Sequence, residues 1–502
     1  MGTLLYEGYK YAGYPFAHLY ADKNGSKGSE KIHQLIFGDW VGILKPLRKK
    51  DNYLYVHVRG ETGWMHEDDL MDEAVLEIVF VDVGQGDGAL IVTPNDEHII
   101  IDTGIGANMH RYLRWRYNGF KNQWTFRYGI ASHPDQDHYM GFHYLLNEGN
   151  VFFQDFLHNG LLEHQEGVKD SIFGEMLKTD RIYYTELFDT QQKIEAYLAD
   201  TKNWEHPQGN PIWDKPYAVF LKRLIAMNKV SGDIRMCSSD DKYLQGFGPE
   251  KELNIRILGP VTETVLGKRA LRSLSSTGKT KNGHSLVFKL SYRDIDILLG
   301  GDLNSAAETH LLEAHTGLPL KSPTQEAENI LIDTARQTFQ ADIAKACHHG
   351  SADFTSLFLK SVNAVATIIS SGDEEQHSHP RPDTLGAIGV NGRGERPLIF
   401  STELARSHRE NEEKTLREIT ELEIEMEKAT STARKDALNN KIKEKNDKLK
   451  ERNVTVYGSI NVRTDGRRCI IAQKLEKGGK SKVWDIYRLE KDQTGQFRYV
   501  PN

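Results

Sequence analysis

The stretch Ser132-His133-Pro134-Asp135-Gln136-Asp137-His138 constrains the fold more than any other part of this 502-residue chain. Two imidazoles and two carboxylates fall within six residues, directly after the apolar run Tyr128-Gly129-Ile130-Ala131 and before Tyr139-Met140-Gly141. An apolar run that stops in a polar turn reads as a strand delivering several side chains to one point. Imidazole and carboxylate are the ligand types that hold divalent first-row metals. The plainer reading is a polar turn whose carboxylates cap the next helix. Four ligand-type residues at i, i+2, i+4 and i+5 favour the metal site.

Such a loop needs other strand ends to meet it. Apolar runs at 75–83, 89–92 and 98–102, broken by Gly84-Gln85-Gly86-Asp87-Gly88 and Thr103-Gly104, predict a meandering sheet with covered faces. A helix is expected over 107–118 and a strand over 127–132. From about 150 to 250 the pattern weakens, and the segment reads as an insertion covering one rim of the site. Strands then resume at 254–258, 285–290 and 295–299, the last closed by Gly300-Gly301-Asp302. Asp302 there is either a helix cap or a ligand. Further strands, at 343–347 and 364–370, lead into His348-His349-Gly350-Ser351 and towards His379-Pro380. In layered α/β folds, groups at strand ends converge on one crevice. Together, His133, Asp135, Asp137, His138, Asp302, His348, His349 and His379 suffice for two divalent metals, with Asp302 the natural bridging carboxylate. Such a pair activates water and stabilises an in-line displacement at phosphorus. Asp137 is the candidate to orient that water, and His348 or His379 to serve the leaving oxygen.

The chain has a net charge of −7, yet residues 267–281 carry Lys268, Arg269, Arg272, Lys279 and Lys281 and no acidic residue. Cations among hydroxyls and glycines suit phosphate oxygens, although a solvated surface loop would read the same way. Residues 1–74 hold short strands with turn residues between them, which predicts a small β-barrel. The order of Phe37-Gly38-Asp39-Trp40, the run at 53–58 and Gly63-Trp64 resembles a bacterial SH3-like domain, which implies a binding module for a peptide or glycan. Leu416, Ile419, Leu422 and Met426, then Ala433, Leu438, Ile442 and Leu449, recur at helical spacing among dense Glu and Lys. They predict a helical hairpin, either packed on the body or offered for dimerisation or a protein partner. Strands at 454–500 are expected to form a small terminal sheet. No run approaches the roughly 18 apolar residues of a membrane span, and the first residues lack a signal peptide's basic start. The expected compartment is the cytoplasm.

The motifs Asp82-Val83-Gly84-Gln85-Gly86-Asp87, Ile101-Asp102-Thr103-Gly104, the run 132–141, Gly301-Asp302, the run 348–351 and His379-Pro380 occur in one order. That order resembles the metallo-β-lactamase superfamily and, within it, the ComEC-like branch typified by a competence-protein hydrolase domain. The resemblance spans about residues 75–390 and implies an α/β fold, an αββα sandwich with a metal site at one edge. It implies His133, Asp135, Asp137 and His138 as the first ligand group, Asp302 as the bridge and His349 as the last ligand. Most superfamily members carry histidine where this chain has Asp135. A harder carboxylate ligand favours manganese, with magnesium a further option, relative to zinc. The superfamily's mid-domain histidine is unassigned: His158, His284 or neither. The expected organisation is an SH3-like barrel over 1–74, a hydrolase domain over 75–400, a helical hairpin over 401–453 and a β segment over 454–502. The expected activity is that of a metal-dependent phosphodiesterase, a nuclease cleaving DNA or RNA in a setting such as bacterial defence. Lys268, Arg269, Arg272, Lys279, Lys281 and Ser351 would contact the nucleic acid. The alternatives are a metallo-hydrolase of a small phosphodiester or ester, of phosphocholine esterase or lactonase type, and a non-catalytic scaffold.

Overall fold

The computed structural model describes residues 4–21, 30–320, 324–372, 378–402, 418–422, 424–426, 429, 431–451, 458–479 and 481–501. Its organising strand, β1 (Leu76–Phe80), is buried at all five positions, Glu77 included. A strand buried on both faces needs cover on each side. β1 is followed by β2 (Gly88–Val92) and β3 (His98–Thr103), which pair antiparallel as the turn spacing predicts. Helix α1 (Asn108–Arg116) then carries the chain across to β4 (Trp124–Ile130), which lies parallel to β3. A parallel pair requires such a crossover. The short helix α2 (Gln136–Tyr139) follows the His/Asp loop, and β5 (Val151–His158) and β6 (Ile234–Met236) extend the sheet in parallel.

Residues 150–250 are therefore not simply an insertion. β5 is an integral strand, but the exposed Gln154 beside Asp155 interrupts its apolar run and hides the pattern of a buried strand. Only the stretch between β5 and β6 is added cover, including the helix Pro216–Ala226, whose Phe220 and Leu221 pack on the sheet.

A second sheet runs β7 (Leu253–Gly259), β8 (Val287–Tyr292), β9 (Ile295–Leu299), β10 (Ile343–Lys345), β11 (Ala366–Ile369) and β12 (Leu398–Ser401). The first two pairings, up to β9, are antiparallel, and the remaining three are parallel. Helix α3 (Ser305–Thr316) follows β9 and is capped by Asn304, not by Asp302. Between the two sheets pack Ile78, Ile91, Tyr128, Phe288, Ile297 and Ile368. Met109, Leu113 and Phe220 cover the outer face of the first sheet, and Leu311, Phe339 and Phe358 that of the second. The layers thus run helix, sheet, sheet, helix.

The C-terminal strands correct the expectation of a small sheet of their own. β13 (Ile460–Thr464) pairs antiparallel with β1, and β14 (Cys469–Gly479), β15 (Lys482–Lys491) and β16 (Phe497–Val500) continue outwards. The first sheet therefore has ten strands, ordered β6-β5-β4-β3-β2-β1-β13-β14-β15-β16. The backbone edge of β1 needs partners, and a strand some 380 residues later provides them, a distance no local pattern records.

Strands between Tyr6 and Met71 form a separate eight-stranded antiparallel sheet around Leu19, Leu35, Val56 and Met65. It docks through Ile36 and Phe37 onto Ile470 and Trp484 of the ten-stranded sheet. Of the expected helical hairpin, α4 (Thr432–Glu451) and helical residues at 418–422 and 424–426 are described, with Ile419, Leu438 and Ile442 buried. Arg434 bonds Glu425 at 3.2 Å and Lys445 pairs with Glu418. Leu416, Thr430 and the side chain of Leu449 lie outside the described residues. Among the described residues, no helix is long and apolar enough to cross a membrane.

Candidate metal centre

The parallel strands deliver their C-terminal ends to one edge, as binding crevices of such sheets require. β3 ends in Asp102, β4 leads to His133, β9 to Asp302, and β10 to His348 and His349. Several of these positions have left-handed backbone: φ is 58° at Asp102, 49° at His348 and 54° at His349. Non-glycine residues held there cost about 1–3 kcal/mol each and persist where the surroundings over-determine them. The loop before β2 is equally tight. Gly86 has φ 97°, and a Cβ built on it would lie 1.7 Å from the Asp137 carbonyl oxygen.

His138 Nε2 and His349 Nε2 each lie 3.2 Å from Asp302 Oδ2, and His133 Nε2 and His348 Nε2 lie 4.0 Å from it. Asp137 approaches His138 Nε2 to 3.9 Å and His349 Nε2 to 3.7 Å. Four overlapping trios of ligand atoms result: His133/His138/Asp302, Asp137/His138/His349, Asp87/Asp302/His349 and Asp87/Asp102/His138. The rings are aimed by their other nitrogens. His138 Nδ1 donates to Asp102 Oδ2 at 2.8 Å, and Asp102 is itself fixed by the Ser132 backbone N–H and hydroxyl, both at 2.7 Å. His349 Nδ1 donates to the Ser370 carbonyl at 3.1 Å. Ser285 donates its hydroxyl to the Asn282 carbonyl, lies 3.2 Å from His133 Nδ1 and accepts the Asp302 N–H. Such outer partners set tautomer and orientation for metal ligation. Inwards, the buried Nε2 atoms of His133, His138 and His349, with Asp302 Oδ1 and Asp87 Oδ1, have no hydrogen-bond partner among the described residues. Idle buried nitrogens and carboxylate oxygens facing one point are the donor set a divalent cation satisfies.

Burial alone would raise Asp302, but the His349 and His138 rings hold it well below the usual carboxylate range. Burial opposes protonation of His138, and Asp302, Asp102 and Asp137 overcome it, lifting that ring well above the ordinary histidine value. His349 is raised against burial to about 10 by Asp302 and Asp87. His133 goes the other way, pushed well down by burial and by the His138 charge. Asp87 falls to about 2 despite burial, because Lys345 and His349 face it. Four carboxylates (Asp87, Asp102, Asp137, Asp302) thus share the cluster with one buried ammonium, Lys345, which pairs with Asp87, lies 3.8 Å from Asp302 and bonds the Gly301 carbonyl at 2.9 Å. The excess negative charge of the cluster favours the protonated form of the His138 and His349 rings, and a bound cation would compete with those protons.

Of the residues read from sequence, His133, Asp137, His138, Asp302, His348 and His349 come together. His379 joins them, its ring centroid 5.6 Å from that of His348. Ser351 follows the same turn and accepts the Asp353 N–H. Asp135 lies outside the four trios. It caps α2 by accepting the Gln136 N–H and pairs with Lys281 at 3.4 Å. His158 and His284 also lie outside them: His158 Nδ1 accepts the Gly160 N–H, and His284 Nε2 lies 2.7 Å from the Arg272 carbonyl. The basic stretch is not a loop but the strand Lys268–Arg272 and the helix Thr277–Gly283. Each of its cations already has a carboxylate: Lys268 with Glu175, Arg269 with Asp240, Arg272 with Glu263, Lys279 with Asp353 and Lys281 with Glu163. Sequence reasoning missed Asp87, Asp102, Lys345 and Ser285 as site residues. The two aspartates stood in the motifs that carried the resemblance, whereas Lys345 sits in a short apolar strand with no local signal.

No protein-family model matches the chain, and no curated protein matches it. Among solved structures, a metallo-β-lactamase of Cronobacter sakazakii substituted in its HARLDQ motif aligns at 15% identity over 54% of this chain and 76% of its own, with TM-score 0.24. The C. sakazakii enzyme described with the HARLDQ motif aligns at 15% identity over 53% and 69%, with TM-score 0.24. MEM-A1, a subclass B3 metallo-β-lactamase from a soil metagenome library, aligns at 12% identity over 54% and 79%, with TM-score 0.23. At scores this low, function has to be argued from the ligand geometry.

Proposed function

We propose that this protein is a metal-dependent phosphodiesterase of the metallo-β-lactamase superfamily, ComEC-like branch, acting on nucleic acid. The observation that carries the reading is the set of idle, buried ligand atoms from four strand ends gathered around Asp302. Two divalent ions, zinc or manganese, held by His133, Asp137, His138, Asp302 and His349 would supply an activated water and offset charge developing at phosphorus. The remaining work falls to the side chains. Asp137, between His138 and His349, orients the attacking water and takes up its proton. His348 is the more open ring, its side chain 27% exposed, and with His379 beside it donates to the leaving oxygen. Asp102 and Ser370 keep the rings aimed. Support for nucleic acid comes from the motif order and from Lys281, which pairs with Asp135 of the ligand loop at 3.4 Å.

A second reading is a small phosphodiester as substrate. It is favoured by the carboxylate partners of all five cations in 268–281, which leave no free cationic track within that stretch for a long polyanion. Purified protein with manganese, assayed on single- and double-stranded DNA, RNA and bis(p-nitrophenyl) phosphate, separates the two. Asp137→Ala is expected to lower the cleavage rate by about a hundredfold or more with an unchanged melting temperature. Wild-type rates in that variant would overturn the assignment; cleavage of the small ester alone would replace nucleic acid with the second reading.

A further inference from the structure

Away from the metal centre, the N-terminal sheet and the ten-stranded sheet enclose a cavity of about 730 Å³. That is the size of a small-molecule site. Its walls are aromatic: Tyr9, Tyr11 and Trp40 from the N-terminal sheet, Tyr112 and Trp115 from α1, and Trp484 from β15. Trp40 and Trp115 remain 43% and 42% exposed. Large rings left open around a concavity need an occupant more than isolated surface rings do.

A chain of ion pairs runs along the same cavity. Arg59 bonds Asp39 at 2.7 and 2.9 Å, Arg463 reaches Asp39 at 3.1 Å and Glu77 at 3.0 Å, and Arg116 bonds Glu77 at 2.7 and 2.8 Å. Three guanidiniums share two carboxylates, so one positive charge is left over. The other lining carboxylate, Asp96, stands in solvent, its side chain 86% exposed and bonded to His98 at 2.9 Å, so the surplus lies among the buried groups. Arg463 and Trp484 are only 5% and 4% exposed, yet among the described residues Arg463 Nε and Trp484 Nε1 have no acceptor. A buried surplus cation with idle donors is costly unless an anion meets it.

We propose that this cavity binds a nucleoside phosphate, with its phosphoryl group on the Arg59–Arg463–Arg116 cluster and its base against Trp40 or Trp115. Guanidinium forks match phosphate oxygens, and stacking on an indole accepts any base. Because its walls come from both sheets, the ligand would tie the N-terminal sheet to the body that carries the metal centre. An acidic peptide would use the arginines but leave the rings idle.

The test is calorimetric titration of the full chain, in chelator to silence the metal centre, with AMP, GMP, CMP and UMP. Inorganic phosphate and an acidic peptide serve as comparison ligands. Saturable binding of at least one nucleotide is expected. The Trp40→Ala/Trp115→Ala protein, altered only at exposed rings, should bind roughly five- to a hundredfold more weakly, and Asp137→Ala should bind like wild type. The proposal falls if no nucleotide binds at millimolar concentration. It also falls if phosphate or the peptide binds as tightly as the nucleotides, or if affinity follows Asp137 rather than the tryptophans.

Discussion

Asp102 belongs to one of the four trios, with Asp87 and His138, and it decides where His138 points. It takes the His138 Nδ1 proton at 2.8 Å and is clamped by Ser132. Asp102→Asn keeps the shape and removes the charge. Metal affinity should fall about 10–100-fold, read by competition with a chromophoric chelator, while the melting temperature moves little. Unchanged affinity would reduce Asp102 to a packing residue. Glu308 is a different kind of buried acid. Burial raises its pKa from 4.5 to about 8, against the bond it accepts from the Thr355 N–H. Between those values the folded chain keeps a proton that the unfolded chain has released, so the contribution of Glu308 to stability is greatest below pH 4.5 and declines as pH rises towards 8. Glu308→Gln removes this dependence and should stabilise the protein by on the order of a few kcal/mol at pH 8 or above and by almost nothing at pH 4.5. Thermal melts of both proteins across pH 4.5–9 read the difference, and parallel curves would refute it. At this scale the sequence was most legible where ligands cluster locally, as in 133–138. It was silent on Lys345, whose role comes from carboxylates on other strands.

Among the elements, strands with regular apolar runs and glycine turns, β1 to β4 and β7 to β9, were readable because each pattern is local. β5 was obscured by Gln154 and Asp155, and β13 by the length of chain between it and β1. The basic stretch failed for a related reason: its cations are visible together, while Glu163, Glu175, Asp240 and Asp353 that neutralise them are scattered through the chain. The placement of β13 has a direct consequence. Ile460, Val462 and Ile471 belong to the core between the two sheets, and β13 supplies the hydrogen bonds of one edge of β1. A chain ending at residue 457 would expose both that edge and the apolar face beneath it. It should be insoluble or lack a cooperative melt. A soluble, cooperatively melting 1–457 chain would show that the terminal strands are an accessory, as the sequence alone suggests.

At the scale of the whole molecule, the layered body was anticipated by the motif order, whereas the seam with the N-terminal sheet was not. A seam is made of residues that look like ordinary core or ordinary surface in either part. Here Phe37 is fully buried against residues of the ten-stranded sheet, and Arg463 donates to the Phe37 carbonyl and to Asp39 across the junction. The chain between the two parts passes through Asp72-Glu73-Ala74, where the Glu73 side chain is 72% exposed and meets Arg293 at 3.5 Å. Stability of the junction therefore rests on packing rather than on the linker. Phe37→Ala deletes the largest fully buried side chain in the seam and should cost about 3 kcal/mol or more. The loss should appear first as separation of the parts, because each keeps its own core. A glutamate-specific protease should cut after Glu73 much faster in the variant than in wild type, leaving the body's melting transition in place. Equal cutting rates would mean that the ion-pair chain through Arg463, and not the Phe37 contact, holds the two sheets together.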